Sequence, residues 1–121
     1  MKYKLYKKPR RFQVGMKKNK IFIKDLGKIF LRNNEMVSFK FNRKDEYDFT
    51  KKNFGFYISQ SINNRVKNHN FEIFLVQSQI TGNFFLLAIN KNKKKEFNKY
   101  LFKEKIKKIL KFSSKNLKKF I

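Results

Sequence analysis

The chain has 121 residues, with 32 Lys and Arg against 8 Asp and Glu, and it contains no Cys. This length suits a single domain, and the missing Cys exclude a disulfide framework and any Cys-ligated zinc or iron–sulfur site. The net charge of +24 makes an anionic partner the first hypothesis, and nucleic acid is the commonest such partner.

The first twenty residues predict a basic arm. Residues 1–20 carry nine Lys and Arg and no acidic residue, and they lack the apolar run of a secretory signal peptide. We therefore expect an extended arm that is solvated or ordered on RNA. The protein is then not secreted and acts in the cytoplasm or in an organelle matrix such as that of the mitochondrion. A targeting role for this segment is the alternative.

The middle of the chain predicts strands. Residues 21–90 carry ten cations and six acidic residues, and apolar residues there alternate with a period of two. The longest apolar run has six residues, which is too short to span a membrane as a helix. The predicted strands are Ile21–Leu31 with a break at Gly27, Val37–Phe41, Tyr47–Phe49, Phe54–Ile58, Phe71–Gln77 and Phe84–Asn90.

Two segments change to a helical period. Apolar residues four positions apart predict a short helix over residues 60–68. The segment Lys93–Lys111 predicts a longer helix, with Phe97 and Leu101 on its core side. Its apolar stripe drifts after Leu101, so the second half is either a separate helix or an ordered tail.

The order of these elements predicts an α+β fold. We expect a single small domain in which an antiparallel sheet carries helices on one face. The core covers residues 21–92, between the basic arm of residues 1–20 and a basic C-terminal helix and tail over residues 93–121. Residues 91–121 hold thirteen cations and two acidic residues, so charge is concentrated at both ends of the chain.

Two aromatic segments are similar to the signature of a known RNA-binding family. Ile21–Leu26 runs aliphatic, aromatic, aliphatic, Lys, Asp, Leu, which resembles the hexapeptide of the RNA recognition motif. Lys52–Ile58 begins 31 residues later and resembles that motif's aromatic octapeptide. The resemblance implies that Phe22, Phe54 and Phe56 stack RNA bases on a sheet face. Packing in the core is the alternative role for these three rings.

The sequence contains few side chains that could act in catalysis or bind a metal. His69 is the only imidazole and falls in a predicted turn, which indicates a solvated or capping side chain. The acidic run contains Asp45, Glu46 and Asp48, and the last two share a face on a strand, where such a pair can hold Mg²⁺. The alternative is that these acids balance nearby Lys44, Lys51 and Lys52 on an exposed hairpin. We expect no enzyme activity, no cofactor and no metal.

These features together predict a structural RNA-binding protein. The expected partners are RNA, with ribosomal RNA as the leading candidate, and the neighbouring proteins of a ribonucleoprotein assembly, with no small-molecule substrate and no transmembrane segment. We expect cations at both ends to neutralise phosphates, with Arg65 near the N-terminus of the short predicted helix. The predicted nucleic-acid-binding residues are Lys7, Lys8, Arg10, Arg11, Lys17, Lys18, Arg65, Lys93, Lys94, Lys95, Lys107 and Lys108.

Two other functions remain open on the sequence. Lys, Phe, Asn, Ile and Tyr make up 73 of the 121 residues, which is typical of an AT-rich genome of an organelle or a reduced bacterium. In the first alternative, the Lys excess is mutational and the protein is a small accessory α+β protein. In the second alternative, the protein binds a membrane surface, and its C-terminal helix lies on anionic lipid. Its insertion face would consist of Phe97, Leu101, Phe102, Ile106 and Ile109.

Overall fold

The computed structural model describes residues 1–15 and 21–121. In these residues the chain forms eight strands in three separate antiparallel sheets and three short helices, which confirms the predicted α+β class. The strands are β1 (Lys2–Val14), β2 (Ile21–Phe30), β3 (Met36–Lys40), β4 (Glu46–Lys52), β5 (Gly55–Tyr57), β6 (Phe71–Ser78), β7 (Phe84–Asn90) and β8 (Ile106–Lys111). The helices are α1 (Arg65–Asn68), α2 (Lys94–Lys103) and α3 (Ser114–Leu117).

The hydrophobic core forms on both faces of β6, the central strand of the β7–β6–β8 sheet. Phe74 and Val76 point to one face and pack against α2. Phe71 and Ile73 point to the other face and pack with Val66 of α1. The helix α2 therefore covers one face, as expected, while the single turn α1 and part of β4 cover the other.

The β3–β4 hairpin agrees with the alternation of the sequence. Val37 pairs with Phe49 and Phe39 pairs with Tyr47 across the two strands. The rings of Phe39 and Phe49 meet edge to face, with centroids 5.6 Å apart. Tyr47 also contacts the ring of Phe71 on β6, so this hairpin is joined to the core through aromatic contacts.

The predicted helix over Lys93–Lys111 is correct only in its first half. The helix α2 ends at Lys103, Lys105 takes a positive φ of +51°, and the chain returns as β8 along the edge of β6. The β-branched Ile106 and Ile109 favour this strand, and pairing satisfies backbone groups of β6 that a second helix would leave open. The drift of the apolar stripe marks this change.

The helical insertion face proposed for a membrane is not formed. Phe97 and Leu101 are buried in the core, while Phe102 is 87% exposed on α2. Ile106 and Ile109 lie on β8 instead of on the helix. Among the described residues, no helix combines the length and the apolar character that crossing a bilayer requires.

The basic arm contains the longest strand of the described chain. β1 pairs antiparallel with β2, and the two form a two-stranded ribbon, here called the β1–β2 ribbon. The register shifts between Leu5 and Arg10, where residues 6–9 of β1 form a bulge. Among the described elements, no other strand or helix makes more than marginal contact with this ribbon.

Gly27 lets the two strands of the ribbon approach each other. Its φ is +152°, and a Cβ at this position would lie only 2.0 Å from the carbonyl oxygen of Lys4. We expect Gly27→Ala to separate the strands and to lower amide hydrogen-exchange protection throughout the ribbon by about tenfold or more, while the core stays protected. Gly55→Ala is the control, because Gly55 has a φ of +145° but no atom within 4 Å of the added Cβ. Equal loss of ribbon protection in both variants would contradict this steric role.

Candidate nucleic-acid interface

One face of the β1–β2 ribbon is basic. Alternation along β2 places Phe22, Lys24 and Lys28 on the same face. Arg11 pairs with Lys24 and Lys4 pairs with Lys28, so cations face each other across the ribbon. We call this surface the basic ribbon face. Its cations are Lys2, Lys4, Arg11, Lys24 and Lys28.

Aromatic rings lie among these cations. The guanidinium of Arg11 lies over the ring of Phe22, with Cζ 5.8 Å from the ring centroid. Phe30 pairs with Lys2 at the other end of the ribbon. Phe22 and Phe30 are both more than half exposed. This combination of cations and open rings can bind phosphates and stack on unpaired bases.

The opposite face of the ribbon is mainly apolar. Phe12 pairs with Ile23, and Tyr3 pairs with Ile29. All four side chains are at least two-fifths exposed. Exposed apolar side chains grouped on one face usually mark contact with another macromolecule.

Arg10 is held by the ribbon itself. Its guanidinium lies 3.1 Å from the carboxylate of Asp25 and also over the ring of Phe12. The Arg10–Asp25 pair therefore belongs to the apolar face and not to the basic ribbon face. Lys7 and Lys8 are exposed in the bulge between Leu5 and Arg10. The predicted binding residues Lys17 and Lys18 lie outside the described residues.

The C-terminal cations divide between two surfaces. Lys94 forms an ion pair of 3.1 Å with Glu72, and Lys108 lies over the ring of Phe74, with Nζ 5.1 Å from the centroid. These two cations lie on the α2 side of the sheet. Lys107 pairs with Gln77 and points to the opposite side. Lys93 and Lys95 are exposed at the start of α2.

The three aromatic residues proposed for stacking are not brought together. Phe22, Phe54 and Phe56 are 58%, 75% and 57% exposed, so the alternative role in core packing is wrong. Phe22 lies on β2, whereas Phe56 lies on β5 of a different sheet, so the segments do not share one sheet face. The RNA recognition motif requires such a shared face, and this arrangement does not supply it.

The acidic run is a structural element and not an exposed hairpin face. Asp45 is buried and accepts hydrogen bonds from the amides of Asn42, Asn70 and Asn90. The hydrogen bond from Asn90 is the largest influence on the pKa of Asp45, which lies below its ordinary value although burial opposes this. The expectation that these acids balance Lys44, Lys51 and Lys52 is wrong, because Asp45 is bound by three Asn amides and Glu46 and Asp48 are bound by Arg65.

Arg65 is held by two carboxylates. Its Nε lies 2.5 Å from Asp48, and its Nη2 lies 3.1 Å from Glu46. Glu46 and Asp48 do share a face of β4, as expected, but they hold a guanidinium there. Arg65 therefore serves the fold, and it does not belong to the basic ribbon face.

His69 follows α1 and contributes to the same region. Its Nδ1 accepts a hydrogen bond from the backbone N–H of Glu46 at 3.2 Å. Among the described residues, no group of three or more His, Asp or Glu side chains is arranged to hold a metal ion.

The Asp48–Arg65 pair gives a prediction for stability. Burial raises the pKa of Asp48, but hydrogen bonds from Arg65 and Ser38 outweigh it and leave the pKa below its ordinary value of 3.8. The folded-state pKa is depressed, so the stabilisation is present above about pH 4 and is lost as the pH falls further. We expect Asp48→Asn to lower the free energy of unfolding at pH 7 by about 1.5–3 kcal/mol, measured by urea denaturation.

At pH 3 the same variant should lose less stability relative to the parent chain than at pH 7, because the unfolded chain then binds a proton at Asp48 and part of the stabilisation is gone. Glu96→Gln is the control, since Glu96 is exposed at the start of α2. A stability loss that is the same at pH 7 and pH 3 would show that the charge of Asp48 is not its cause.

Sequence reasoning missed most of the basic ribbon face. The sequence did not indicate four of its cations, because they come together on one face only when β1 and β2 pair. These four are Lys2, Lys4, Lys24 and Lys28. The alternation of Lys with Tyr or Leu over residues 2–5 was the available signal for a strand. Comparison with protein-family models, curated proteins and solved structures gave no match to this chain.

Proposed function

We propose that this protein is a structural RNA-binding protein, a component of a ribosome or of another ribonucleoprotein assembly. The basic ribbon face lies along the phosphate backbone, and Phe22 and Phe30 stack on unpaired bases. The apolar ribbon face contacts neighbouring proteins of the assembly. The role is non-catalytic and is carried out in the cytoplasm or in an organelle matrix such as that of the mitochondrion.

The observation that carries this proposal is the charge and isolation of the ribbon. β1 and β2 hold eight cations and one acidic residue, and Asp25, that one acid, is already paired with Arg10. An isolated two-stranded ribbon is marginally stable in water, so a partner is needed to offset its exposed surface. A polyanion with stackable bases fits both the charge and the rings.

The charge of the rest of the described chain supports the same partner. Arg65, Lys94 and Lys111 are held in ion pairs with acidic side chains. In the ribbon one of the eight cations, Arg10, is paired with an acidic side chain. Five of the others lie on one ribbon face, where they form a path for phosphates.

Fluorescence anisotropy with the full chain tests the proposal. We expect saturable binding of a single-stranded RNA of about 20 nucleotides at about 50 mM salt. Polyglutamate at the same concentration of charge is the competitor, since it offers carboxylates without bases. RNA should stay bound at equal charge, because stacking adds to the ionic attraction. Complete displacement by polyglutamate, or no binding at all, would contradict the proposed function.

A further inference from the structure

A cavity of about 330 Å³ lies between α1, β6 and the segment that enters α3. This volume is at the lower end of the range for small-molecule sites. The floor is apolar and is formed by side chains that include Val66, Phe71 and Ile73, all of which are buried. Phe112 adds a partly buried ring. The cavity lies outside the ribbon, so the proposed ribbon interface does not use it.

The edge of this cavity is cationic. The residues that line it include four cations and one acidic residue, Glu72; the cations are Lys67, Lys91, Lys111 and Lys115. Glu72 already forms ion pairs with Lys94 and Lys111. Positive charge therefore exceeds negative charge at the rim, where Lys67 and Lys115 are exposed.

Polar groups that suit the edge of a base lie between the floor and the rim. Asn63 offers an amide, with both a donor and an acceptor, and Ser114 offers a hydroxyl. The carboxylate of Glu72 points to the other side of the sheet, together with Phe74 and Val76, and it pairs there with Lys94 of α2 and with Lys111. Asn63 and Ser114 are therefore the groups that can contact the edge of a base.

We propose that this cavity binds a single nucleotide, with its base on the apolar floor and its phosphate at Lys67 and Lys115. The proposal rests on the proposed RNA-binding function and deepens it. The nucleotide is one unstacked unit of a single-stranded segment, because a base held in a duplex cannot enter a concave site. The ribbon then supplies most of the ionic attraction, and the cavity holds one base in place.

Nucleotide titrations of the full chain, followed by NMR, test this assignment. The probes are AMP, whose base carries an amino group, and ribose 5-phosphate, which has the phosphate without the base. AMP should shift the signals of Lys67, Phe112 and Lys115, and ribose 5-phosphate should bind at least about tenfold more weakly. Equal binding of the two probes would show that the cavity takes only an anion, and this would overturn the proposal.

Filling the cavity provides the matched variant test. Asn63→Phe places a ring in the cavity from an exposed position, and it should abolish the AMP-induced shifts. Asn92→Phe is the control, since Asn92 is also exposed but does not line the cavity. Unchanged AMP shifts in Asn63→Phe would overturn the proposal.

The two proposals fail in different ways. If the full chain binds RNA but AMP produces no shifts around the cavity, the nucleotide site is wrong and the ribbon function stands. If AMP binds in the cavity but the chain does not bind RNA, the nucleotide site stands and the RNA-binding function is wrong. Asn63→Phe should leave most of the salt-dependent RNA binding in place, because the ribbon is unchanged.

Discussion

Raising the monovalent salt concentration from about 50 to 200 mM should weaken RNA binding by about 10³- to 10⁵-fold. The physical reason is the release of counterions from each phosphate that a cation neutralises. The ribbon holds eight cations, and only Arg10 has an acidic partner there. Seven contacts give a slope of log K against log salt of about −5 to −6. Contacts from Lys93, Lys95 and Lys107 would make the slope steeper.

The salt titration needs a check on the fold. Circular dichroism over the same salt range should stay constant, because most described ion pairs are surface pairs that contribute little to stability. The affinity would then change without a change in structure. A slope near zero would contradict phosphate neutralisation, and the Lys excess would then be better explained by the base composition of the genome.

Several strands were predictable from the sequence. In β3 and β4 apolar and polar residues alternate with the two faces of the sheet, whereas β6 is apolar almost throughout because both of its faces are covered. The same reasoning gave both strands of the β6–β7 hairpin and the first half of Lys93–Lys111. Where burial sets the pattern, the pattern predicts the element.

The parts that the sequence did not predict depend on distant partners. Asp45 is held by Asn70 and Asn90, which lie 25 and 45 residues further along the chain. Arg65 and Asp48 are 17 residues apart. Local composition shows a run of acids and a run of cations, and it does not show which of them meet. The role of a charged residue therefore depends on pairing that only the folded chain provides.

The candidate interface also depends on strand pairing that the sequence did not predict. The sequence located the excess charge at the N-terminal end, but it gave no prediction of a ribbon there. Arg10 and Arg11 are neighbours in the chain, yet they point to opposite faces of β1. Arg11 lies over Phe22 on the basic ribbon face, whereas Arg10 is bound to Asp25. The two guanidinium groups are therefore not equivalent for RNA binding.

Neutralising the basic ribbon face should have the largest effect of any surface substitution. Replacing Lys2, Lys4, Arg11 and Lys24 with Gln should reduce the salt slope by about 3 to 4 units. At about 100 mM salt this corresponds to an affinity loss of about 10³-fold for every RNA sequence tested. Anisotropy titrations at several salt concentrations measure both quantities.

A control variant separates this site from the total charge. It carries Gln at four exposed cations outside the ribbon and has the same net charge as the ribbon variant. The four positions are Arg43, Lys99, Lys118 and Lys119. We expect the control to keep a salt slope close to that of the parent chain, because these positions do not form a face with the ribbon. Equal losses in the two variants would mean that the attraction is general.

The rival site is the exposed aromatic surface at Phe54 and Phe56. Both rings are open to solvent, so Phe54→Leu should change the stability little and serves as a direct test of stacking. Stacking on one base is worth about 1–3 kcal/mol, which is roughly a tenfold to hundredfold change in affinity. We expect Phe54→Leu to keep its RNA affinity and the ribbon variant to lose it. The opposite result, with the ribbon variant binding normally, would move the interface from the β1–β2 ribbon to β5.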